Sequence, residues 1–433
     1  MFKRRLAPRH YKQATQGAAI EEMPPAAEVV LPLLQHTGAV LEAKVCVGEQ
    51  VRTGQLIADS QAYLSSPLHA SVSGHIKAIE ARAHPVLGQH QAIVITSDAQ
   101  DSKDRAITDR DNVDTLTAPE IRNIVRSCGV VGLGGAAFPT HVKLTPPKNK
   151  PIDAFILNGA ECEPFLTADH RLMLEKPYEI LAGMKVTMRA LGVTRGFVAI
   201  EDNKPEAIKL FEKLVDGTEI KVAALESFYP QGAEKQMIKA ILGREVPSGK
   251  LPFDVGVVVN NVATCFAIYE AIYQNKPLYE RVITVSGKIV QRPANVKVRL
   301  GTSAREIIEF CGGLSDEPAK VIFGGPMMGI AQYTLDVPII KGTSGILVFD
   351  QKESKENPAH PCIRCAKCLQ ACPMGLDPSR LAQAIEKGRF DLAREYHVLD
   401  CIECGICSYA CPGNRNIVAL VKLAKQRLKT TKK

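Results

Sequence analysis

The sequence contains no tryptophan, and its aromatic fraction is only 5%. No aromatic residue interleaves with the basic run near the C-terminus, so the stacking platform of a nucleic-acid binder is missing. Long apolar runs are missing too: no stretch approaches the eighteen or so consecutive apolar residues a membrane span requires. Met1 to His10 carries Lys3, Arg4, Arg5 and Arg9 but leads into no apolar segment, so it resembles neither a signal peptide nor an anchor. The expectation is a protein of the cytosol, or one held on a membrane only through partners. A hydrophobic fraction of 45% and a charged fraction of 23% are ordinary for globular chains, and 433 residues suggest three or four domains.

Cysteine is plentiful. Eight of the thirteen cysteines fall in two matching runs, Cys362-Ile-Arg-Cys365-Ala-Lys-Cys368-Leu-Gln-Ala-Cys372-Pro373 and Cys401-Ile-Glu-Cys404-Gly-Ile-Cys407-Ser-Tyr-Ala-Cys411-Pro412. This spacing wraps three thiolates around one iron-sulfur cube and sends the fourth to the neighbouring cube. Cys362, Cys365, Cys368 and Cys411 are therefore expected to hold one 4Fe-4S cluster, and Cys401, Cys404, Cys407 and Cys372 the other. Structural zinc uses four ligands and gives no reason for a doubled run of four ending in proline. A disulfide framework suits small secreted chains. Cys46, Cys128, Cys162, Cys265 and Cys311 lie apart without ligand spacing and read as small buried side chains.

The net charge of +8 is modest. Ile417, Leu420, Val421, Ala424 and Leu428 mark one face of a final helix, flanked by Lys422, Lys425, Arg427, Lys429, Lys432 and Lys433. Two readings stand: a helix packed on the cluster domain with a solvated basic face, or a basic contact for acidic lipid or an acidic electron carrier.

Nearer the N-terminus, Gly38 to Ile79 reads as short strands with Val40, Val45, Val47 and Val51 among polar neighbours, punctuated by Gly48, Gly54 and Gly74. It resembles the barrel-sandwich domain of biotinyl and lipoyl carriers. The place of the modifiable lysine reads Asp59-Ser60-Gln61-Ala62-Tyr63-Leu64, which implies the fold without the swinging arm, as a docking module. Asp98 to Asp114 is charged and reads as a linker. A helix over Glu120 to Ser127 then precedes Gly129-Val-Val-Gly132-Leu-Gly134-Gly135-Ala-Ala137-Phe138, so the dinucleotide fingerprint that follows a strand is disfavoured. The glycines serve either as a phosphate cradle, with Lys143 at the same end, or as a plain tight turn. The strand Ala154 to Leu157 opens into Asn158-Gly159-Ala160-Glu161-Cys162-Glu163-Pro164, polar groups better suited to a ligand edge than to packing.

In this order the loop Gly132 to Phe138, the strand end Asn158 to Pro164, the segment Tyr229 to Lys235 and Asn260-Asn261-Val-Ala-Thr264 resemble the flavin and NADH site of the flavoprotein subunit of respiratory complex I. The resemblance implies FMN bound by Gly132, Gly134, Gly135, Lys143, Asn158, Glu161, Asn260, Asn261 and Thr264, with Phe138, Glu163 and Glu234 lining the NADH side. Ala137 stands where that family has a glycine, and Ala233 where it has the first of two glutamates; the added methyl and the lost carboxylate bear on nucleotide affinity. Val282 to Val285, Val321 to Phe323 and a helix at Ala304 to Cys311 resemble the β-grasp soluble-ligand-binding domain of the same family, taken as a spacer.

The fold class expected is therefore multidomain α/β and β. A barrel-sandwich occupies 1–100, a Rossmann-like FMN/NADH domain 115–280, a β-grasp domain 281–352, and an α-helical two-cluster ferredoxin-like domain 355–433. This order resembles the C-subunits of Rnf-type ion-translocating electron transport complexes. It implies electron transfer between NAD(H) and ferredoxin or membrane redox subunits through FMN and two 4Fe-4S clusters. It also implies a peripheral position on the cytoplasmic face of the cell membrane, held by the other subunits of the complex. Two alternatives remain at this point: a soluble flavin and iron-sulfur reductase such as a cobalamin reductase, and a scaffold with a dead flavin site.

Overall fold

In the computed structural model, residues 6–355 and 357–430 are described. Lys3, Arg4, Arg5, Lys432 and Lys433 lie outside them.

The flavin-type domain is built on four parallel strands in the order Ile220–Leu225, Gly196–Glu201, Ala154–Gly159, Val257–Asn261. Gly196–Glu201 is buried throughout, and Ala154–Gly159 nearly so, as expected for a parallel sheet covered on both faces. Parallel pairing puts the C-terminal ends of all four strands on one edge, where α/β folds bind ligands. Asn158, Glu161, Asn260 and Asn261 sit on or just beyond that edge. The covering helices Pro177–Leu191 and Val262–Gln274 pass very close: a Cβ on Gly183 would lie 1.9 Å from the Cys265 carbonyl oxygen. Gly183→Ala is therefore expected to destabilise this domain by roughly 1–3 kcal/mol, read as a lowered urea midpoint with unchanged slope.

The barrel-sandwich consists of one antiparallel sheet, Glu28–Pro32, Gly88–Ser97, Gly74–His84 and Gln50–Val51, facing Glu42–Ala43, Leu56–Asp59 and Leu68–His69. Val45 and Val51 enter its core, whereas Val40 and Val47, expected beside them, are exposed at 50% and 63%, Val40 in irregular chain ahead of Glu42–Ala43 and Val47 in a turn. The β-grasp domain is more than a spacer. Its mixed six-stranded sheet shares one continuous core with the barrel-sandwich, in which Leu31, Ile57 and Ile76 join Ile283, Val296 and Val348. Ser71 Oγ donates to Leu300 O, and buried Lys341 Nζ donates to Pro67 O at 2.6 Å and Gly129 O at 2.7 Å, so one ammonium joins three domains.

The segment expected as a basic tail on the barrel-sandwich runs elsewhere. Ile20–Glu22 adds a parallel strand to the β-grasp sheet, Leu6 bridges Tyr229, and Lys12 is buried against the flavin-type domain. At Asp98 to Asp114 the irregular chain expected of a linker is pinned, through Arg299 on Asp101 and Arg110 on Ile272 O.

The last domain packs the helices Pro378–Glu386 and Ile417–Thr430 over the cysteine runs. Ile417, Val421, Ala424 and Leu428 are buried, so the apolar face of the final helix is used in packing. Of its basic residues, Lys425 turns back to Cys401 O and Glu403.

Candidate functional site

Each cysteine run folds the same way. Arg364 and Ala366 in the first, and Glu403 and Gly405 in the second, take left-handed backbone conformations on either side of the middle cysteine. Left- and right-handed residues in alternation turn successive N–H groups to one side and make an anion-binding concavity. The Glu403 N–H lies 3.4 Å from Cys401 Sγ. Cys362, Cys365, Cys368 and Cys411 line one cavity, and Cys372, Cys401, Cys404 and Cys407 line a second, the crossed grouping anticipated from the spacing. Among the described residues no three His, Cys, Asp or Glu side chains converge as a single ion would need; the thiols ring a volume instead. Burial pushes the Cys404 and Cys407 thiols up to about 12, so protons leave when iron takes them as thiolates. Eight sulfurs in two cups, each with a nest of amides, fit two 4Fe-4S cubes.

The cups differ in setting. Cys365 is exposed, and the rim beside it carries Ile363, 72% exposed, with Arg364 and Lys367. The second cup faces the flavin-type domain. Tyr229 Oη donates to Cys404 O at 2.8 Å and lies 3.2 Å from Glu163 Oε1, while Gln236 Nε2 donates to Pro373 O. A Cβ on Gly405 would meet Met327 O at 2.7 Å, so the β-grasp loop also presses on this cup.

At the sheet edge the glycine loop follows the helix Ala118–Ser127 and closes on itself, with Gly132 N–H donating to Phe138 O and Ala137 N–H to Gly132 O. Thr264 Oγ1 accepts from Leu133 N–H at 2.9 Å, and Gly134 lies so near Asn261 that a Cβ would reach 3.4 Å from it. Gly135, at φ +108°, has nothing within 4 Å of a Cβ, which leaves its backbone open to a ligand. Asn158 bridges to Gly232 O, and Asn261 caps the helix Val262–Gln274 while donating to Asp169 at 2.6 Å. Lys143 ion-pairs with Glu234 and donates to Val259 O, bringing the expected phosphate lysine and one expected NADH-side acid together. Phe138 is half-buried at the end of the loop.

Two acids are committed otherwise than the resemblance implies. The Glu161 carboxylate accepts from Asp169 N–H and His170 N–H, capping the helix Ala168–Glu175, and pairs with Lys12 at 3.7 Å. Glu163 accepts from Met327 N–H and Met328 N–H and so ties the β-grasp loop to the strand end. Burial raises Glu163; burial, then the Glu161 charge, raises Asp169 to about 7. Lys12, lowered by burial, donates to Glu161 O and Leu166 O. Nothing near Lys12 in the sequence signals this role.

The edge fits a flavin mononucleotide on two observations. Asn260 is 3% exposed, yet its Nδ2 has no protein partner; and the surface at Gly134 and Gly135 lacks side chains where a phosphate or ring would lie.

Each module matches a known family. Residues 1–100 match the RnfC barrel sandwich hybrid domain, 125–270 the Nuo51 FMN-binding domain, 282–331 the SLBB domain and 355–412 the 4Fe-4S dicluster domain. The fold and site thus define a flavin and iron-sulfur electron-transfer protein. Over 425 residues the chain is 47% identical to the C-subunit of the proton-translocating ferredoxin:NAD(+) oxidoreductase complex of Clostridium ljungdahlii, covering 98% of this chain and 93% of that protein. It is 41% identical to the C-subunit of the Na(+)-translocating ferredoxin:NAD(+) oxidoreductase complex of Acetobacterium woodii, covering 99% and 97%. A further relative, the C-subunit of the ion-translocating oxidoreductase complex of Rhodobacter capsulatus, is 41% identical over 98% of this chain and 82% of its own. The chain belongs to the C-subunit family of ion-translocating ferredoxin:NAD(+) oxidoreductase complexes.

Proposed function

We propose that this subunit passes electrons between NAD(H) and the other redox subunits of an ion-translocating complex, with ferredoxin as the distal partner. The observation that carries the route is the unequal setting of the two cups. The Cys372, Cys401, Cys404, Cys407 cup is joined to the flavin-type domain through Tyr229, and the Cys362, Cys365, Cys368, Cys411 cup reaches the surface at Cys365. FMN, when bound, exchanges a hydride with NAD(H) and single electrons with iron-sulfur centres.

The chain's own residues place and tune. Gly134, Gly135, Lys143, Asn158, Asn260 and Asn261 would hold FMN at the sheet edge, and the eight cysteines would hold the two cubes. Tyr229 fixes the backbone of Cys404 against the strand-end loop, and so would hold the Cys372, Cys401, Cys404, Cys407 cup at a set place relative to the flavin edge. The rim of the outer cup, apolar at Ile363 and basic at Arg364 and Lys367, suits an acidic one-electron carrier. No helix among the described residues is long and apolar enough to cross a membrane; ion translocation falls to other subunits, and this one sits peripherally on the cytoplasmic face. Similarity across nearly the full length of complex subunits supports this reading over a free-standing reductase.

The test is anaerobic purification followed by addition of NADH. About one flavin and about eight irons per chain, with both absorbance signals bleaching, is the expected outcome. Bound flavin and iron with no nucleotide-dependent bleaching would overturn the NAD(H) assignment.

A further inference from the structure

Two carboxyl groups meet at the start of the helix Ala168–Glu175, and only one of them is neutralised. Glu161 accepts from Asp169 N–H at 2.8 Å and His170 N–H at 3.3 Å, and it pairs with Lys12 at 3.7 Å. The other free N–H groups of this helix start go to Thr284 Oγ1 and Thr167 O, so none is left for the Asp169 side chain. Asp169 Oδ2 accepts from the neutral Asn261 amide at 2.6 Å. Among the described residues nothing donates to Asp169 Oδ1, and no cation forms an ion pair with this carboxyl.

The charges around it are committed elsewhere. Arg281, on the strand Glu280–Ser286, donates to Lys341 O and Leu133 O. Lys12 is bound to Glu161 and Leu166 O. The helix Val262–Gln274 carries one charge, Glu270, paired with Lys276, and Glu21 and Glu22 of the strand Ile20–Glu22 pair with Arg292 and Lys297. Glu179 of the helix Pro177–Leu191 pairs with Lys176; Glu206 of the helix Pro205–Val215 faces His170, which burial keeps neutral. Two carboxylates this close in a buried site do not both stay ionised. The bonding decides which one holds a proton: Glu161 has two N–H donors and an ammonium, Asp169 one neutral donor and a free oxygen. The lift of Asp169 to about 7, by burial and then the Glu161 charge, agrees with that assignment.

Asn261 connects this carboxyl to the flavin edge, since its side chain lies 3.4 Å from where a Cβ on Gly134 would stand. Asp169 is half-buried, which leaves it in exchange with water. Resting on the flavin lying at this edge, we propose that Asp169 takes a proton from water when the flavin is reduced and returns it on reoxidation. Reduction by an electron pair and one proton adds one negative charge to the edge. An O–H bond formed at Asp169 Oδ1 cancels that charge, while Oδ2 keeps its bond to Asn261. The proton comes from water and the electrons from the established reaction, so no further reactant is consumed. Asp169 is thus a positioning residue: it holds a proton behind Asn261 and tunes the flavin without touching the reacting atoms.

The experiment is a spectroelectrochemical titration of the flavin- and cluster-loaded chain, without nucleotide, following the flavin absorbance between about pH 7.5 and about pH 8.5. The slope of flavin potential against pH counts the protons taken up with each electron pair. Asp169→Asn, which keeps the shape and an oxygen for Asn261, is expected to take up about one proton fewer than the unaltered chain. Asp169→Glu should restore it, a rescue that a purely structural role would not produce. Infrared difference spectra read the same event directly. A carboxyl C=O band should appear on reduction of the unaltered chain and be missing in Asp169→Asn. If the slopes of the unaltered chain and Asp169→Asn agree, or if reduction of the unaltered chain raises no carboxyl band, the inference fails while the flavin reading stands. If the unaltered chain binds no flavin, that reading fails and this inference with it.

Discussion

Replacing Cys404 with alanine is expected to lower the iron content from about eight to about four per chain and to cut the route between flavin and outer cluster. NADH should still bleach the flavin absorbance, and the surviving cluster should stay oxidised. Cys365→Ala should also remove about four irons, with the opposite kinetic result: flavin and the surviving cluster both bleach, and delivery to an external one-electron acceptor stops. The asymmetry follows from position. Cys404 is buried, with its carbonyl held by Tyr229 of the flavin-type domain, whereas Cys365 is exposed on the far cup. Equal reduction of the remaining cluster in the two variants would reverse or dissolve the proposed order. Cys411→Ala tests the crossed grouping separately: it should remove the same cluster as Cys365→Ala, because Cys411 lines the cavity of the first run although it belongs to the second.

How much of this could be read from the sequence depends on how far apart the interacting residues lie. The cysteine cups were legible because a 4Fe-4S ligand run is local, and even the exchange of Cys372 and Cys411 is encoded in the three-residue step before each proline. The parallel sheet was legible in part, since Ala154 to Leu157 reads as a buried strand without its neighbours. What the sequence did not disclose are contacts made across hundreds of residues. Lys12 looks like one more cation of a basic tail, yet it is buried on Glu161, 149 residues away. Tyr229 meets Cys404 across 175 residues. Glu161 was expected at the flavin because acids at a strand end suit a ligand edge; its carboxylate instead caps a helix that starts seven residues later, a spacing unlike the local capping box. Val40 and Val47 show the same limit at short range, because alternation cannot tell a strand from an irregular stretch or a turn that exposes its apolar residue.

Asn260→Leu is the second large effect, and it has two signs from one cause. In the chain without flavin, Asn260 Nδ2 is a buried donor with no protein partner, so an apolar side chain of similar volume should leave stability unchanged or raise it by about 1 kcal/mol. In the flavin-loaded chain the same change removes a donor from the sheet edge, and FMN affinity should fall on the order of tenfold to a hundredfold. Urea unfolding of the apoprotein and fluorescence titration with FMN measure the two effects separately. A purely structural asparagine would behave otherwise: the apoprotein would lose stability, and flavin affinity would change only as far as folding did. Opposite signs in the two assays would identify Asn260 as a group whose burial is costly in the free fold and is offset by the flavin. The strand Val257–Asn261 ends in two asparagines with different commitments: the Asn261 side chain also caps the helix behind the site and donates to Asp169, whereas Asn260 Nδ2 has no protein partner.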